Sequence, residues 1–393
     1  MAAPLFRPST LSPRAARPGV HPRMMYPNCR RVVVTSVIRH APERQKAGFL
    51  SVIDLSSGRL VRRLSVPEST RRESDVNPRG GLRGARGLDI SADRLLLANT
   101  ERVLMFDRAW NASGEVTHPW MGGVHDVLAD KDSFWVCCTS ADLLVNFSFD
   151  GRVLGDWEWR GEDSLVERFG LQGIPRIDRS LDYRLPHVPP EAISNLAHVN
   201  SLSRHPKGLV VSLGRVISRQ RFHQLRRRGI VSRVARRLGL PASLGRVRNA
   251  IPALPASRLP GSRSAIVLLS GGRPEILRIG SGLPFPDHNG ILDDDRLVFN
   301  DSNASRAVEM SLTDKTCRAV SVPGDPPFVR GLLRIGPRRY LAGSQAPAAI
   351  YEIDFERKSV LRQLSIEGHP NESVYAISRL TDDFDDPPPA LCE

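Results

Sequence analysis

Several features that would define a simple class of protein are scarce in this 393-residue sequence. There are only five cysteines and no CxxC pair, which argues against a zinc knuckle and against a disulfide framework. No apolar run approaches the roughly 18 residues that a membrane-spanning helix needs. The first 29 residues lack the continuous apolar segment of a secretory signal peptide. These absences favour a reducing compartment, and we predict a cytoplasmic location.

Acidic residues are also missing from one long segment, between Glu191 and Glu275. Within it, residues 215–263 form an Arg-rich insert whose apolar residues recur roughly at helical spacing, so we predict that the insert is partly helical. Such a basic segment is typical of a helix on an anionic membrane surface, of a lid that attracts anions, or of a solvated basic hairpin of helices packed on the rim of the domain. Its expected partner is an anionic membrane surface or another protein. Nucleic acid is an unlikely partner because aromatic residues for base stacking are scarce there.

The remaining composition is that of a folded protein, with 40% hydrophobic and 25% charged residues and a formal net charge of +14. Residues 1–29 are rich in Pro and Arg, and we predict a disordered leader, with an organelle transit peptide as the alternative. Residues 30–380 are predicted to form the folded domain. Residues 381–393 are predicted to form an acidic, Pro-rich tail.

A unit of short apolar strands joined by tight polar turns recurs along the chain, most clearly at 285–312. A period of about 40 residues with several strands in each unit is typical of a β-propeller. The strands at 31–66 and the lone strand at 374–380 would share one blade, which joins both ends of the domain and removes an open edge. The sequence therefore predicts an all-β, six-bladed β-propeller, with a β-sandwich or a partly open β-solenoid as the alternative.

Each predicted unit begins with His, Arg or Tyr at the same phase of the repeat. The first strand of a propeller blade lines the axial channel, so these entry residues are expected to converge at one end of the channel. The six entry residues are Arg86, His125, His198, His288, Arg330 and Tyr375. Alternation along a strand places Asn200 on the same face as His198, and Arg215 follows a second strand of the same unit.

Three converging imidazoles permit two kinds of chemistry. His125, His198 and His288 would suit a divalent metal such as zinc with an open coordination position, as in a lyase or hydrolase. Without any cofactor, one histidine would act as nucleophile and another as acid or base. The nearby Arg residues favour a small anionic substrate, because guanidinium groups bind phosphate, sulfate or carboxylate oxygens in pairs. We therefore prefer metal-free group transfer, and a non-catalytic binding propeller is the third hypothesis.

Segments 198–215, 287–312 and 124–138 resemble bacterial arylsulfate sulfotransferases. That family is a six-bladed propeller that moves a sulfuryl group between phenols. Asn289 stands where the family has Asp after its nucleophilic His. The chain also resembles uncharacterised bacterial six-bladed propellers that have similar His-Asn entries.

The resemblance implies a role for five residues. His288 would be the nucleophile and form a sulfo-histidine, while His125 and His198 would assist proton transfer and binding. Asn200 and Arg215 would hold the sulfuryl oxygens as charge shifts in the transition state. The expected substrate is accordingly a sulfate ester or a similar small anion in the axial channel.

Overall fold

The computed structural model describes residues 30–39, 41–67, 80–82, 85–91, 93–185, 195–217, 223, 263–271, 273–280, 287–325, 327–366 and 368–391. Within these ranges the chain forms β-strands almost throughout, with one short helix, α1 (Asp163–Phe169), after a 3-10 turn at Trp159–Gly161. No helix in these ranges is long and apolar enough to cross a membrane. The predicted leader 1–29 lies outside the described residues, as does the predicted basic insert apart from its ends and His223.

Six four-stranded antiparallel sheets form the six blades of a β-propeller, which confirms the predicted fold. From innermost to outermost strand, blade 1 contains β26 (Glu372–Leu380), β1 (Arg31–Ile38), β3 (Gly48–Asp54) and β4 (Arg59–Ser65). Blade 2 contains β6 (Leu88–Ile90), β7 (Arg94–Ala98), β8 (Arg102–Asp107) and β9 (Ala112–Thr117). Blade 3 contains β10 (Val127–Ala129), β11 (Ser133–Cys138), β12 (Leu143–Ser148) and β13 (Val153–Glu158).

The second half of the ring repeats this arrangement. Blade 4 contains β14 (Val199–His205), β15 (Gly208–Val216), β16 (Arg263–Ser270) and β17 (Arg273–Gly280). Blade 5 contains β18 (Asp287–Asp293), β19 (Arg296–Asp301), β20 (Arg306–Ser311) and β21 (Cys317–Ser321). Blade 6 contains β22 (Val329–Gly336), β23 (Arg339–Ser344), β24 (Ala349–Asp354) and β25 (Ser359–Ser365). A parallel pair, β2 (Ala41–Lys46) and β5 (Gly80–Leu82), lies outside the six sheets.

Blade 1 is closed by both ends of the domain, as predicted. The C-terminal strand β26 pairs with β1 along its length, from Arg31 opposite Leu380 to Ile38 opposite Glu372. Each innermost strand also contacts the innermost strand of the next blade, and β22 contacts β26. The ring is therefore complete and encloses an axial channel, so that no blade presents its inner edge to solvent.

The core lies between the blades rather than in one centre. One apolar cluster fills each of the six interfaces between consecutive blades. Successive residues of a strand point to opposite faces of a sheet, so each blade contributes to two clusters. Val32 and Val34 pack toward blade 6, whereas Val33 packs toward blade 2. This burial on both faces explains why the inner strands read as continuous apolar runs in the sequence.

The first eleven residues of the predicted tail pack against the propeller. Phe384 is buried and meets the ring of Trp110 edge-on, with 6.0 Å between ring centroids. The Trp110 indole N–H donates to the backbone carbonyl of Asp385 at 2.9 Å, and Arg31 forms an ion pair with Asp386 at 3.0 Å. The tail therefore fastens blade 1 to blade 2 beyond the end of β26.

Candidate functional site

The six entry residues lie at the same end of the axial channel, which we call the mouth. Arg86 and His125 precede β6 and β10 by two residues, and His198 precedes β14 by one. His288 and Arg330 are the second residues of β18 and β22, and Tyr375 is the fourth residue of β26. Because β15 ends and β16 begins at this end of blade 4, both ends of the basic insert also lie on the mouth side.

Side chains from five blades meet at the mouth. The His125 and His198 rings pack edge to face, with 4.6 Å between centroids, and the His125 and Tyr375 rings are 5.9 Å apart. The guanidinium of Arg330 lies 3.8 Å from the centre of the Tyr375 ring. Arg86 donates to the backbone carbonyl of Val124 at 3.1 Å, directly before His125. Five of the six entry residues are thus brought together around His125.

His125 is held as a neutral imidazole. Burial lowers its pKa well below the usual value, and electrostatic interactions with His198, Arg330 and Arg86 lower it further. Its Nδ1 lies 2.7 Å from the carbonyl oxygen of Gly123, which only accepts, so the proton is on Nδ1. The Nε2 atom then carries a lone pair and has no hydrogen-bond partner among the described residues. This atom has the electronic form of a nucleophile or a base.

A buried ion pair positions His198. The backbone of His198 is left-handed, with φ of 53°, which is uncommon for a residue other than glycine. The Asp142 carboxylate accepts hydrogen bonds from the backbone N–H groups of Leu196, Ala197 and His198. It also pairs with Arg160 at 2.9 Å, and both side chains are fully buried. This pair could not be predicted from the sequence, because nothing in the local pattern links residue 142 to residue 198.

Asn200 lies beside His198 with unsatisfied hydrogen-bonding groups. Its side chain is 2% exposed, and among the described residues neither its amide nitrogen nor its oxygen has a hydrogen-bond partner. A Cβ on Gly214 would lie 2.2 Å from the Asn200 amide nitrogen and 3.4 Å from the His198 ring, so only glycine leaves room for this amide. Buried amides without partners are rare in proteins and point to a bound ligand or water. Arg215 directly follows Gly214 in the chain, and its guanidinium donates to the carbonyl oxygen of Asn195 at 3.4 Å.

His288 is buried on the side of the mouth formed by blades 5 and 6. The Ser302 hydroxyl donates to the carbonyl of Val329 at 2.7 Å, so it accepts from Nδ1 of His288, also at 2.7 Å. The His288 ring packs edge-on against Phe328 at 5.9 Å, and the Arg39 guanidinium lies 5.0 Å from the centre of the Phe328 ring. Arg39 is a further basic residue at the mouth, missed because it follows the second strand of its blade rather than preceding the first.

Hydroxyl groups on three blades fix the entry of the following blade. The hydroxyls donate to the next blade's backbone carbonyls: Thr35 to Arg86 at 2.5 Å, Thr139 to Val199 at 2.5 Å and Ser302 to Val329 at 2.7 Å. Each acceptor is an entry residue or its direct neighbour. The same repeated bond that joins the blades therefore also sets the positions of the side chains at the mouth.

Below the mouth the channel widens into a cavity of about 170 Å³, which is lined by residues of all six innermost strands. Two carboxyl groups face this cavity. Burial raises the pKa of Asp89 to about 6 and that of Asp126 to about 7. Asp89 accepts from the Ala129 N–H at 2.8 Å, and Asp126 accepts from the Leu202 N–H at 3.1 Å. The sequence analysis did not assign either carboxyl to the site.

In the described part of the chain, no group of three or more His, Cys, Asp or Glu side chains is arranged as metal ligands. The three-histidine zinc alternative stays a prediction. The membrane or protein partner predicted for 215–263 concerns residues that are mostly outside the described ranges.

Comparisons with known proteins give no family. No family model matches the chain, and no curated protein matches it. Among solved structures, the chain is similar to a protein of unknown function from Bacteroides caccae, with 12% identity over 88% of this chain and 98% of that chain and a TM-score of 0.45. It is also similar to a chain of a nidogen/laminin complex, with 10% identity, coverage of 89% and 98%, and a TM-score of 0.45. A catalytically inactive variant of virginiamycin B lyase from Staphylococcus aureus gives 9% identity, coverage of 73% and 71%, and a TM-score of 0.41.

Proposed function

We propose that this propeller is a group-transfer enzyme that binds a small sulfate-ester-like anion at the mouth of its axial channel. The observation that supports this most directly is the buried His125 imidazole, which packs against His198 and lies beside the guanidinium groups of Arg86 and Arg330. An anion placed there would be attracted by the guanidinium groups, and it would lie next to the Nε2 lone pair. The Asn200 amide, which has no hydrogen-bond partner among the described residues, offers an NH2 group as donor and a carbonyl oxygen as acceptor at the same place.

The proposed transfer has two balanced steps. A histidine Nε2 lone pair attacks the sulfur, an N–S bond forms, and the S–O bond to the first phenol breaks with its electron pair on that oxygen. An acceptor hydroxyl oxygen then attacks the sulfur, and the N–S bond electrons return to the imidazole. The proton that this hydroxyl loses balances the proton that the departing phenol oxygen takes up in the first step. The arginines and Tyr375 would hold the sulfuryl oxygens throughout, where fixed donors stabilise developing charge.

The structure offers two histidines for the nucleophile. The resemblance implies His288, whereas the contacts of His125 favour His125, since its Nδ1–H is anchored to a carbonyl and its Nε2 lies in the ring of positive charge. We test both by intact mass and peptide mapping after mixing the protein with p-nitrophenyl sulfate. A sulfuryl group on one histidine identifies the nucleophile, and its absence from both contradicts covalent transfer.

Anion binding is tested separately from turnover, by calorimetric titration of the protein with inorganic sulfate. Arg330→Met is expected to weaken sulfate binding about tenfold or more, because charge-assisted hydrogen bonds contribute about 1.5–3 kcal/mol. Arg357→Met, at an exposed arginine far from the mouth, is the matched control and should bind as the wild type does. If both variants bind sulfate with equal affinity, the mouth is not the anion-binding site. Binding without turnover would leave a non-catalytic binding propeller.

A further inference from the structure

The proposed anion site does not use the carboxyl groups of the axial cavity. Asp126 directly follows His125, and it lines the cavity together with Asn289 and Gly331, which directly follow His288 and Arg330. The cavity therefore begins one residue below the ring of entry residues. A molecule whose anionic group is held by that ring and whose remaining part enters the cavity would lie alongside the Asp126 carboxyl.

We propose that Asp126 is the general acid and base of this site, and that the axial cavity receives the hydroxyl-bearing part of donor and acceptor. The proposal rests on the proposed transfer function. In the first step the Asp126 carboxyl gives its proton to the oxygen that leaves sulfur. In the second step the carboxylate takes the proton of the acceptor hydroxyl as that oxygen attacks. One proton is given and one is taken, so the carboxyl is restored.

The geometry of Asp126 suits this role. Its two oxygens accept from the N–H groups of Val127 and Leu202, each at 3.1 Å, so the carboxyl is fixed to blades 3 and 4 at once. A carboxylate oxygen has more than one lone pair, and these two bonds leave acceptor capacity toward the cavity. Burial raises the pKa of Asp126 to about 7, so both protonation states are populated near neutral pH, as acid–base catalysis in both directions requires.

Charged and titratable groups reach Asp126 from several blades. The groups that act on Asp126 or adjoin it are Asp89 on β6, His125 directly before it in the chain, Cys137 on β11 and Arg330 on β22. Arg204 on β14 acts on Asp89, and Tyr375 on β26 contacts His125 at the mouth. The negative charge of Asp89 raises the pKa of Asp126, and the positive charge of Arg330 lowers it. Removing Asp89 should therefore move the Asp126 titration to lower pH without abolishing it.

The test uses the full chain with its Asp carboxyl carbons labelled with ¹³C, titrated by NMR with and without added phenol. Asp126→Asn identifies the Asp126 signal by its loss. We expect this signal to titrate near neutral pH, to shift when phenol enters the cavity, and to titrate at lower pH in Asp89→Asn. A signal that titrates near the ordinary aspartate value, or that does not respond to phenol, overturns the proposal.

Kinetics then separates acid–base chemistry from a structural role. With p-nitrophenyl sulfate and phenol, Asp126→Asn should reduce turnover about a hundredfold and remove the limb of the pH–rate profile near neutrality. Asp89→Asn should shift that limb to lower pH. Sulfate affinity should be retained in Asp126→Asn, because the anion binds at the entry residues. If the wild type does not bind sulfate, the proposed function fails; if it binds and turns over but Asp126→Asn keeps the same pH profile, only this inference fails.

Discussion

Asp142→Asn should destabilise the protein strongly, although Asp142 contacts no residue of the axial cavity. Asn tolerates the left-handed backbone at this position, where φ is 56°, so the substitution changes charge and hydrogen bonding rather than backbone strain. It removes the charge that pairs with the fully buried Arg160, and it replaces one acceptor oxygen by a donor that faces backbone N–H groups. Both effects act inside the core between blades 3 and 4.

The size of the loss follows from this burial. Breaking a buried ion pair from one side costs about 3–5 kcal/mol, because the other charge stays buried without compensation. Since Asn keeps one acceptor for the N–H groups of the 196–198 segment, we expect a loss near the lower end, about 3 kcal/mol. A domain with about 5–15 kcal/mol of stability would remain folded at room temperature and unfold at markedly lower urea concentration.

Urea unfolding followed by circular dichroism measures this loss. Asp150→Asn is the matched control, because Asp150 is an exposed turn residue whose contacts are local, and its unfolding midpoint should stay close to that of the wild type. Adding Arg160→Met to Asp142→Asn removes the uncompensated charge and should recover part of the loss. A single variant that unfolds like the control, or a double variant that loses as much again, would refute the role assigned to the pair.

Three further substitutions test other links in the ring. Glu372→Gln removes the charge that pairs with Arg63 and one of the two acceptor oxygens that bind it at 2.9 and 2.8 Å, which ties β26 to β4, and should lower the unfolding free energy by about 3 kcal/mol in urea titration, unlike the exposed Glu356→Gln. Thr139→Val removes an interblade hydrogen bond and should cost about 1–3 kcal/mol in the same assay, with no loss refuting the bond's role. Because burial raises the pKa of Asp126 from 3.8 to about 7, the folded protein holds a proton that the unfolded chain releases, and this contribution to stability falls as pH rises from about 4 to 7. Asp126→Asn should flatten that fall, by up to roughly 4 kcal/mol and less where channel water screens the carboxyl, and an unchanged profile would contradict the raised pKa.

The fold could be predicted because blade formation is local in sequence. The strands predicted at 31–66 correspond to β1, β3 and β4, and the strand predicted at 374–380 lies within β26, since short polar turns separate apolar strands. Other strands were harder to predict. Strand β9, with the sequence ASGEVT, is mostly exposed and has little apolar signal, and the three-residue strands β6 and β10 are too short for a periodicity.

The phase of the repeat likewise predicted the entry residues, since a fixed position in each unit becomes a fixed position around the channel. It did not predict what holds them. Asp142 binds a segment more than 50 residues further along the chain, and Thr35 binds the carbonyl of Arg86 in the next blade. Such contacts depend on how the blades dock against one another, and no local pattern records them. Asp126 directly follows an entry residue in the sequence, but its burial and its place on the cavity wall follow only from the closed ring.

The charges at the mouth and in the cavity predict that anion binding depends on pH. His125 is neutral because it is buried and lies beside the positive charges of Arg330 and Arg86, and Asp126 is partly protonated because it is buried. A bound anion favours the protonated form of both, so binding should take up protons and tighten as pH falls. Sulfate suits this test because its own charge does not change between about pH 6 and pH 8. We expect calorimetric sulfate affinity to rise severalfold toward pH 6, and more weakly in Asp126→Asn. An affinity that is independent of pH, or that rises toward pH 8, would show that protonation of His125 and Asp126 is not coupled to sulfate binding. It would contradict an electrostatic interaction between the mouth and the cavity.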